Sequence, residues 1–198
     1  MRKQTEKNLN KPENYNKIFG NLLKRDGTFD VSFNIRHKTL LKYFKGGKLL
    51  DMGCLNSPLC IIAQGMYPNS EITLLDFAPD VINYFKENYP YKAVLSDCRH
   101  TPFEDNTFDY ITAGELIEHI PEPKDLVKEA VRILKPGGVF ALSTPCNESD
   151  NECGGGYHIW SFNPNDIKEM LKPYGKAEVD LLKRREAIAY IIGHLIKD

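Results

Sequence analysis

The sequence predicts an α/β domain built on a doubly wound, mainly parallel seven-stranded sheet with an antiparallel edge strand. Three observations carry that expectation. From Lys48 onward, short apolar runs alternate with segments of helical spacing, the pattern of a parallel sheet covered on both faces. Three of those runs close on an aspartate (Asp51, Asp76 and Asp97), at the roughly 20–25-residue spacing of βα units. The first run, KLLDM, passes through Gly53 into Ser57-Pro58 and LCIIA, which reads as strand, tight turn and helix start. Ser57 suits an N-cap, and Pro58 suits the first helical turn, where its missing N–H costs nothing.

Taken in order, residues 1–14 are polar. Residues 15–24 and 31–44 carry apolar side chains at helical spacing, with Asp30 placed to cap the second helix. Gly46-Gly47 breaks that pattern, and strands are expected over 48–52, 71–76, 91–97, 108–113 and 139–143. A helix opens at Pro79, and another covers 122–134 before Lys135-Pro136-Gly137-Gly138 stops it. The stretch 146–157 is polar and glycine-rich, a long loop of the kind that often covers a site. A short helix over 165–171 precedes strands over 177–182 and 187–195, expected to pair antiparallel and close one edge.

At 198 residues, with 41% hydrophobic and 27% charged side chains, the chain has the size and composition of one globular domain. Residues 1–45 form its expected helical cap and 46–198 its binding core. A net charge of −1 supplies no global basic footprint, which disfavours extended binding along a nucleic-acid backbone. Local runs such as Lys183-Arg184-Arg185 read as solvated faces. The start, MRKQTEK, lacks the apolar core of a signal peptide, and no apolar run is long enough to span a membrane. Five scattered cysteines read as reduced thiols, which predicts a cytoplasmic protein.

Acids at the carboxyl ends of parallel strands face the crevice where such sheets bind ligands. Asp51 beside the Gly53 turn suits a ligand carrying an ammonium group better than one carrying a pyrophosphate. Asp76 is placed to accept hydrogen bonds from ribose hydroxyls. Asp97 and the backbone of Cys98 are placed to read an adenine edge, with Phe77 against its face. Each acid also has an ordinary reading, since Asp is common at turns and N-caps. Three in register favour the ligand.

Five stretches carry a family likeness: LLDMGC (49–54), LLDFAPDVI (74–82), SDCRHTPFEDNTFDYI (96–111), GELIEHIPEP (114–123) and RILKPGGVFALSTP (132–145). In content, order and spacing they resemble the class I S-adenosylmethionine-dependent methyltransferases, which are Rossmann-like. The resemblance spans roughly residues 49–195 and implies methyl transfer from S-adenosyl-L-methionine, with oxygen of a small-molecule substrate as the expected acceptor. It further implies that Asp51 and Gly53 border the methionine portion, with Cys54 and Leu55 in the same turn. Asp76, followed by Phe77, holds the ribose; Asp97, with Cys98, holds the adenine amine; Ala113-Gly114-Glu115 border the reacting sulfonium. One departure stands out. The family turn usually repeats glycine at alternate positions, whereas here Gly53 is followed by Leu55 and Ser57. Glycine lets a backbone approach its ligand closely, so the rival class is a non-catalytic scaffold or partner subunit.

Glu115, Glu118 and His119 fall at i, i+3 and i+4, one face of an expected helical turn. One reading is a polar helix start that complements the dipole. The other is catalytic: His119 acts as general base on a hydroxyl, its pKa lying near working pH. Alternatively, Glu115, Glu118 and His119 hold a divalent metal that acidifies that hydroxyl, with His158 as fourth ligand. The string is similar to those of ubiquinone-type O-methyltransferases and of metal-using small-RNA 2′-O-methyltransferases. A zinc site from Cys146, Cys153 and His158 matches no standard spacing. The first helices (Tyr15, Phe19, Phe33) and the loop 147–162, with a Gly154-Gly155-Gly156 hinge, are left to shape the substrate pocket, and the aromatic cluster Tyr157, Trp160 and Phe162 reads equally as core anchoring or substrate contact. The expected partner is a small molecule; RNA ribose is the rival acceptor, disfavoured by the near-neutral charge.

Overall fold

The computed structural model describes residues 1–3, 9–23, 34–56, 58–146, 157–184 and 187–198. Its strands are β1 (Arg2–Lys3), β2 (Lys48–Met52), β3 (Glu71–Asp76), β4 (Lys92–Leu95), β5 (Phe108–Gly114), β6 (Leu134–Pro145), β7 (Trp160–Ser161), β8 (Gly175–Arg184) and β9 (Ala187–Lys197). Its helices are α1 (Pro12–Leu23), α2 (Asn34–Leu40), α3 (Leu59–Met66), α4 (Pro79–Asn88), α5 (Pro123–Ile133) and α6 (Pro164–Leu171). Seven strands form one sheet in the order β4-β3-β2-β5-β6-β9-β8. Strands β2 to β6 run parallel, and β9 opposes both β6 and β8. The antiparallel β8–β9 pair closes the sheet as expected, with the opposed strand one place inside the edge. The short strands β1 and β7 pair separately.

Alternation along the strands sorts the core into two layers. Leu49, Leu74, Tyr110 and Ala141 join the layer under α3 and α4, with Cys60, Ala63, Val81 and Phe85. Leu50, Leu75, Ile111 and Phe140 face the other way, onto Leu126, Ala130 and Ile133 of α5 and Ile167 and Leu171 of α6. The cap is continuous with the first layer: Phe19, Leu40, Leu41 and Phe44 are all buried in it.

Several boundaries moved, for local reasons. Helix α1 starts at Pro12, whose fixed φ is already helical. Helix α3 starts at Leu59, with Pro58 in the capping position, while the proposed cap Ser57 lies outside the described residues. Asp30 and Phe33 lie outside them too. Strand β4 ends at Leu95, so Asp97 stands on the loop beyond it. Strand β6 begins at Leu134, immediately after α5, and the Lys135–Gly138 segment is taken up by a register shift opposite Phe108 and Tyr110. Helix α6 opens one residue early on a capping box, in which the Asp166 N–H donates to Asn163 Oδ1 at 3.0 Å and the Asn163 N–H to Asp166 Oδ2 at 2.9 Å.

Helix α2 is short, and side chains from the sheet satisfy carbonyls at its C-terminus. The Tyr110 hydroxyl donates to Leu40 O at 2.6 Å, and His194 Nε2 donates to Thr39 O at 3.0 Å. Tyr110→Phe should therefore lower stability by about 1–2 kcal/mol, the cost of leaving a buried carbonyl without its donor. Denaturant unfolding checks this; unchanged stability would show that α2 is held by packing alone.

Candidate active site

Strand β2 lies between β3 and β5, and the connections from the carboxyl ends of β2 and β5 leave in opposite directions, toward β3 and β6. A cleft of about 910 Å³ opens there. Its floor comes from the turn after β2 (Asp51, Gly53, Cys54, Leu55), the end of β3 (Asp76, Phe77), the loop after β4 (Asp97, Cys98, Arg99) and the end of β5 (Gly114, Glu115). Lys11 and Tyr15 from the α1 region, Arg36 and His37 from α2, and His119 and Tyr157 complete its walls.

The Asp51 carboxylate is 2% exposed. Its Oδ1 accepts from the Thr112 hydroxyl at 2.8 Å, while Oδ2 is buried with no partner among the described residues. Burial pushes its pKa up to about 7; Asp76 adds to the rise and the Thr112 bond opposes it. The turn that follows is tight. Gly53 has φ +68°, its N–H donates to Leu75 O at 2.7 Å, and an added Cβ would meet Leu116 Cδ1 at 2.7 Å. Leu55 also takes a positive φ, +36°. That conformation disfavours a branched side chain by about 1 kcal/mol. What holds it is an N–H bond to Asp76 Oδ2 at 3.0 Å, with the Leu55 side chain packed on the core. Asp76 Oδ1 accepts from the Ala78 N–H at 2.9 Å, and burial raises the Asp76 pKa against both bonds.

Asp97 is engaged differently from what its sequence position implied. Arg99 grips both its oxygens, through Nε to Oδ1 at 3.1 Å and Nη2 to Oδ2 at 2.7 Å, and also donates its backbone N–H at 2.8 Å. These charge-assisted bonds hold the Asp97 carboxyl below the usual carboxylate range. Arg99 Nη1 reaches on to Glu122 at 2.5 Å, so one guanidinium ties the β4 loop to the entry of α5. Cys98 is buried, its thiol pushed up to about 12 by burial.

The helical face expected from Glu115, Glu118 and His119 does not form. Glu115 has φ +51°, and the only helical structure here is a single 3-10 turn, Ile117–His119. The backbone reversal sends Glu115 toward β6 and α2, where Oε1 accepts from the Ser143 hydroxyl at 2.8 Å and Oε2 pairs with Arg36 Nη1 at 3.2 Å. Glu118 and His119 instead meet His158: ligand atoms of the three lie within 4.8 Å of one another, and the two imidazole rings are 4.7 Å apart. His119 Nδ1 donates to Tyr157 O at 3.1 Å, a carbonyl that also accepts from Asn10 Nδ2 at 2.9 Å. Burial, with His158 adding to it, lowers the His119 pKa to about 4 against the resistance of the Tyr157 bond, so the ring is neutral at pH 7 rather than poised near it.

One further expectation changes, and one open alternative closes. Ala113 does not line the cleft; strand alternation packs it with Ile111 against the α5 layer. Trp160 is an anchor, its Nε1 donating to Ile120 O at 3.0 Å, and Phe162 is buried in the core. Cys146 bridges to Phe162 in the backbone and takes no part in the Glu118–His119–His158 group; Cys153 and the Gly154-Gly155-Gly156 hinge lie outside the described residues. Arg36 and Arg99 escaped the sequence reading. Arg99, two residues after Asp97, left a local signal; Arg36 left none, because its partner is distant in the chain.

Residues 50–142 match the family model described as a methyltransferase domain. Demethylmenaquinone methyltransferase of Staphylococcus aureus is 33% identical over 147 residues, 67% of this chain and 61% of the relative. Over those residues this chain is similar to the methyltransferases, as the sequence resemblance implied. It spans about three fifths of the length of the curated relatives it matches. Among solved structures, Burkholderia thailandensis 1,6-didemethyltoxoflavin-N1-methyltransferase superposes with a TM-score of 0.70 at 14% identity, covering 98% of this chain and 93% of that one. A SAM-dependent methyltransferase from Aquifex aeolicus gives 0.67 at 15% identity, covering 94% and 99%. At those identities the likeness is one of fold.

The residues of this cleft fit S-adenosylmethionine, the cofactor that the resemblance implies. Asp51 Oδ2, buried and without a donor among the described residues, matches an ammonium group. A pH dependence follows. The folded pKa of Asp51, about 7, lies above its unfolded value of 3.8, so the stability this difference supplies is lost as pH rises between the two. Asp51→Asn should make the unliganded protein more stable above pH 7, by on the order of 4 kcal/mol, with the gain vanishing below about pH 4. The same variant should bind S-adenosylmethionine at least tenfold more weakly at neutral pH, about 1.4 kcal/mol or more. Thermal unfolding across pH and calorimetry check the two halves; an unliganded variant no more stable at pH 8 than wild type would refute the first.

Proposed function

We propose that this protein transfers a methyl group from S-adenosylmethionine to a hydroxyl oxygen of a small molecule. The observation that carries the cofactor assignment is the Asp51 carboxylate, buried in a cleft at the switch point with one oxygen unpartnered. When bound, the cofactor supplies an electrophilic methyl group on a sulfonium, whose sulfur keeps the bond pair as a neutral thioether. The chain has to hold the acceptor in line, exclude water and take a proton. Asp51 and Asp76 anchor the donor side, and Tyr15, Tyr157, Leu116 and Ile120 enclose the acceptor side. His119 takes the proton on Nε2, since the Tyr157 carbonyl commits Nδ1 to carrying hydrogen. A ring with a pKa of about 4 is a weak base, which suits an acidic hydroxyl of the phenol or enol class better than an alkyl alcohol.

His119→Ala should lower kcat by about 10²-fold or more, the range of a positioned base, with cofactor affinity changed less than threefold. Isotope-labelled methyl transfer followed by location of the label on the product distinguishes oxygen from nitrogen or carbon acceptors. Full activity in the variant would remove His119 from the chemistry. Loss of wild-type activity in chelator, restored by a divalent ion, would assign Glu118, His119 and His158 to a cation instead.

A further inference from the structure

The β2–β5 ladder sets Thr112 directly beside Asp51. Both are buried, at 0% and 2% exposure. The Thr112 hydroxyl lies 2.8 Å from Asp51 Oδ1 and 3.3 Å from Leu50 O. Both neighbours are acceptors and the hydroxyl has one proton, so the shorter contact to the carboxylate takes it. This bond occupies Oδ1 and leaves Oδ2 buried without a partner among the described residues, in a side chain that lines the cleft. Valine has the same branched shape and would suit a buried strand position next to Ile111 and Ala113 at least as well. The hydroxyl therefore contributes something that packing does not require.

We propose that Thr112 is a positioning residue for the cofactor: by holding one oxygen of Asp51 it presents the other to the ammonium group of S-adenosylmethionine. The inference rests on the cofactor reading of the cleft. Around Asp51 the titratable groups are Asp76 from β3, Cys60 from α3 and Cys54 in its own turn. Burial raises both thiols, leaving them neutral at ordinary pH, and Asp76 acts to raise Asp51. Thr112 is the neighbour that opposes this rise, so deleting its hydroxyl has a sign the others cannot imitate.

The test compares wild type, Thr112→Val, Thr112→Ala and Thr112→Ser by calorimetry with S-adenosylhomocysteine, which carries the same ammonium and does not react. Affinity is measured from about pH 5 to 9, and the Asp51 carboxyl carbon of the unliganded proteins is titrated by NMR. Losing one hydrogen bond to the carboxylate should raise the Asp51 midpoint by roughly half to one pH unit. Affinity at pH 7 should fall about three- to tenfold in the Val and Ala variants, with recovery at higher pH. Thr112→Ser should restore both values. An Asp51 midpoint unmoved in whichever of the Val and Ala variants folds overturns the proposal alone, even if binding is uniformly weaker, since that pattern belongs to packing. No binding by wild type, or wild-type binding by Asp51→Asn, overturns the cofactor reading and this proposal with it.

Discussion

The structure is arranged around a carboxylate kept out of water. Asp51 sits in the fourth position of a strand with parallel neighbours on both sides, its side chain at the place where the connections diverge. Burying it raises the free energy of the ionised form. The fold tolerates this because one oxygen accepts from the Thr112 hydroxyl, and burial shifts the carboxyl toward its neutral form. Function and stability are opposed at this residue, as expected where a binding site is pre-formed.

The walls of the cleft depend on contacts far apart in the chain. Helix α2 is tied down by Tyr110 from β5 and His194 from β9, and from there Arg36 reaches Glu115. The opposite wall meets at the Tyr157 carbonyl, which receives Asn10 from before α1 and His119 from after β5. Ile159 N–H donates to Glu118 O at 2.8 Å, and β1 pairs with β7, so the early residues and the segment from Tyr157 to Ser161 are joined along one border of the site. Glycine is absent from the second turn position, yet the backbone there adopts a positive φ regardless, because Asp76 accepts the Leu55 N–H. The departure from the family pattern thus changes the side chain in the turn and leaves the left-handed geometry in place.

Much was legible in the chain itself. Apolar periodicity and the punctuation by Gly, Pro and acids located the parallel strands and their helices, since strand and helix periods are local properties of the backbone. Asp51 and Asp76 were legible for the same reason: each follows its apolar run within the same strand. The position of Asp97 was less so. Its strand ends two residues earlier, and Arg99, which claims both its oxygens, was not considered as a partner.

The sequence by itself determined the alternation of elements, the layer each strand residue faces and the acids at the crevice. These follow from steric periods of two and 3.6 residues, which need no knowledge of distant parts of the chain. Only the tertiary structure decided the Glu115 region. Spacing alone put Glu115, Glu118 and His119 on one face, but a positive φ at Glu115, met by Ser143 and Arg36, breaks the helix before it begins. It also decided that His119 is a partly buried, neutral ring beside His158, because desolvation depends on what packs around a group rather than on its neighbours in sequence.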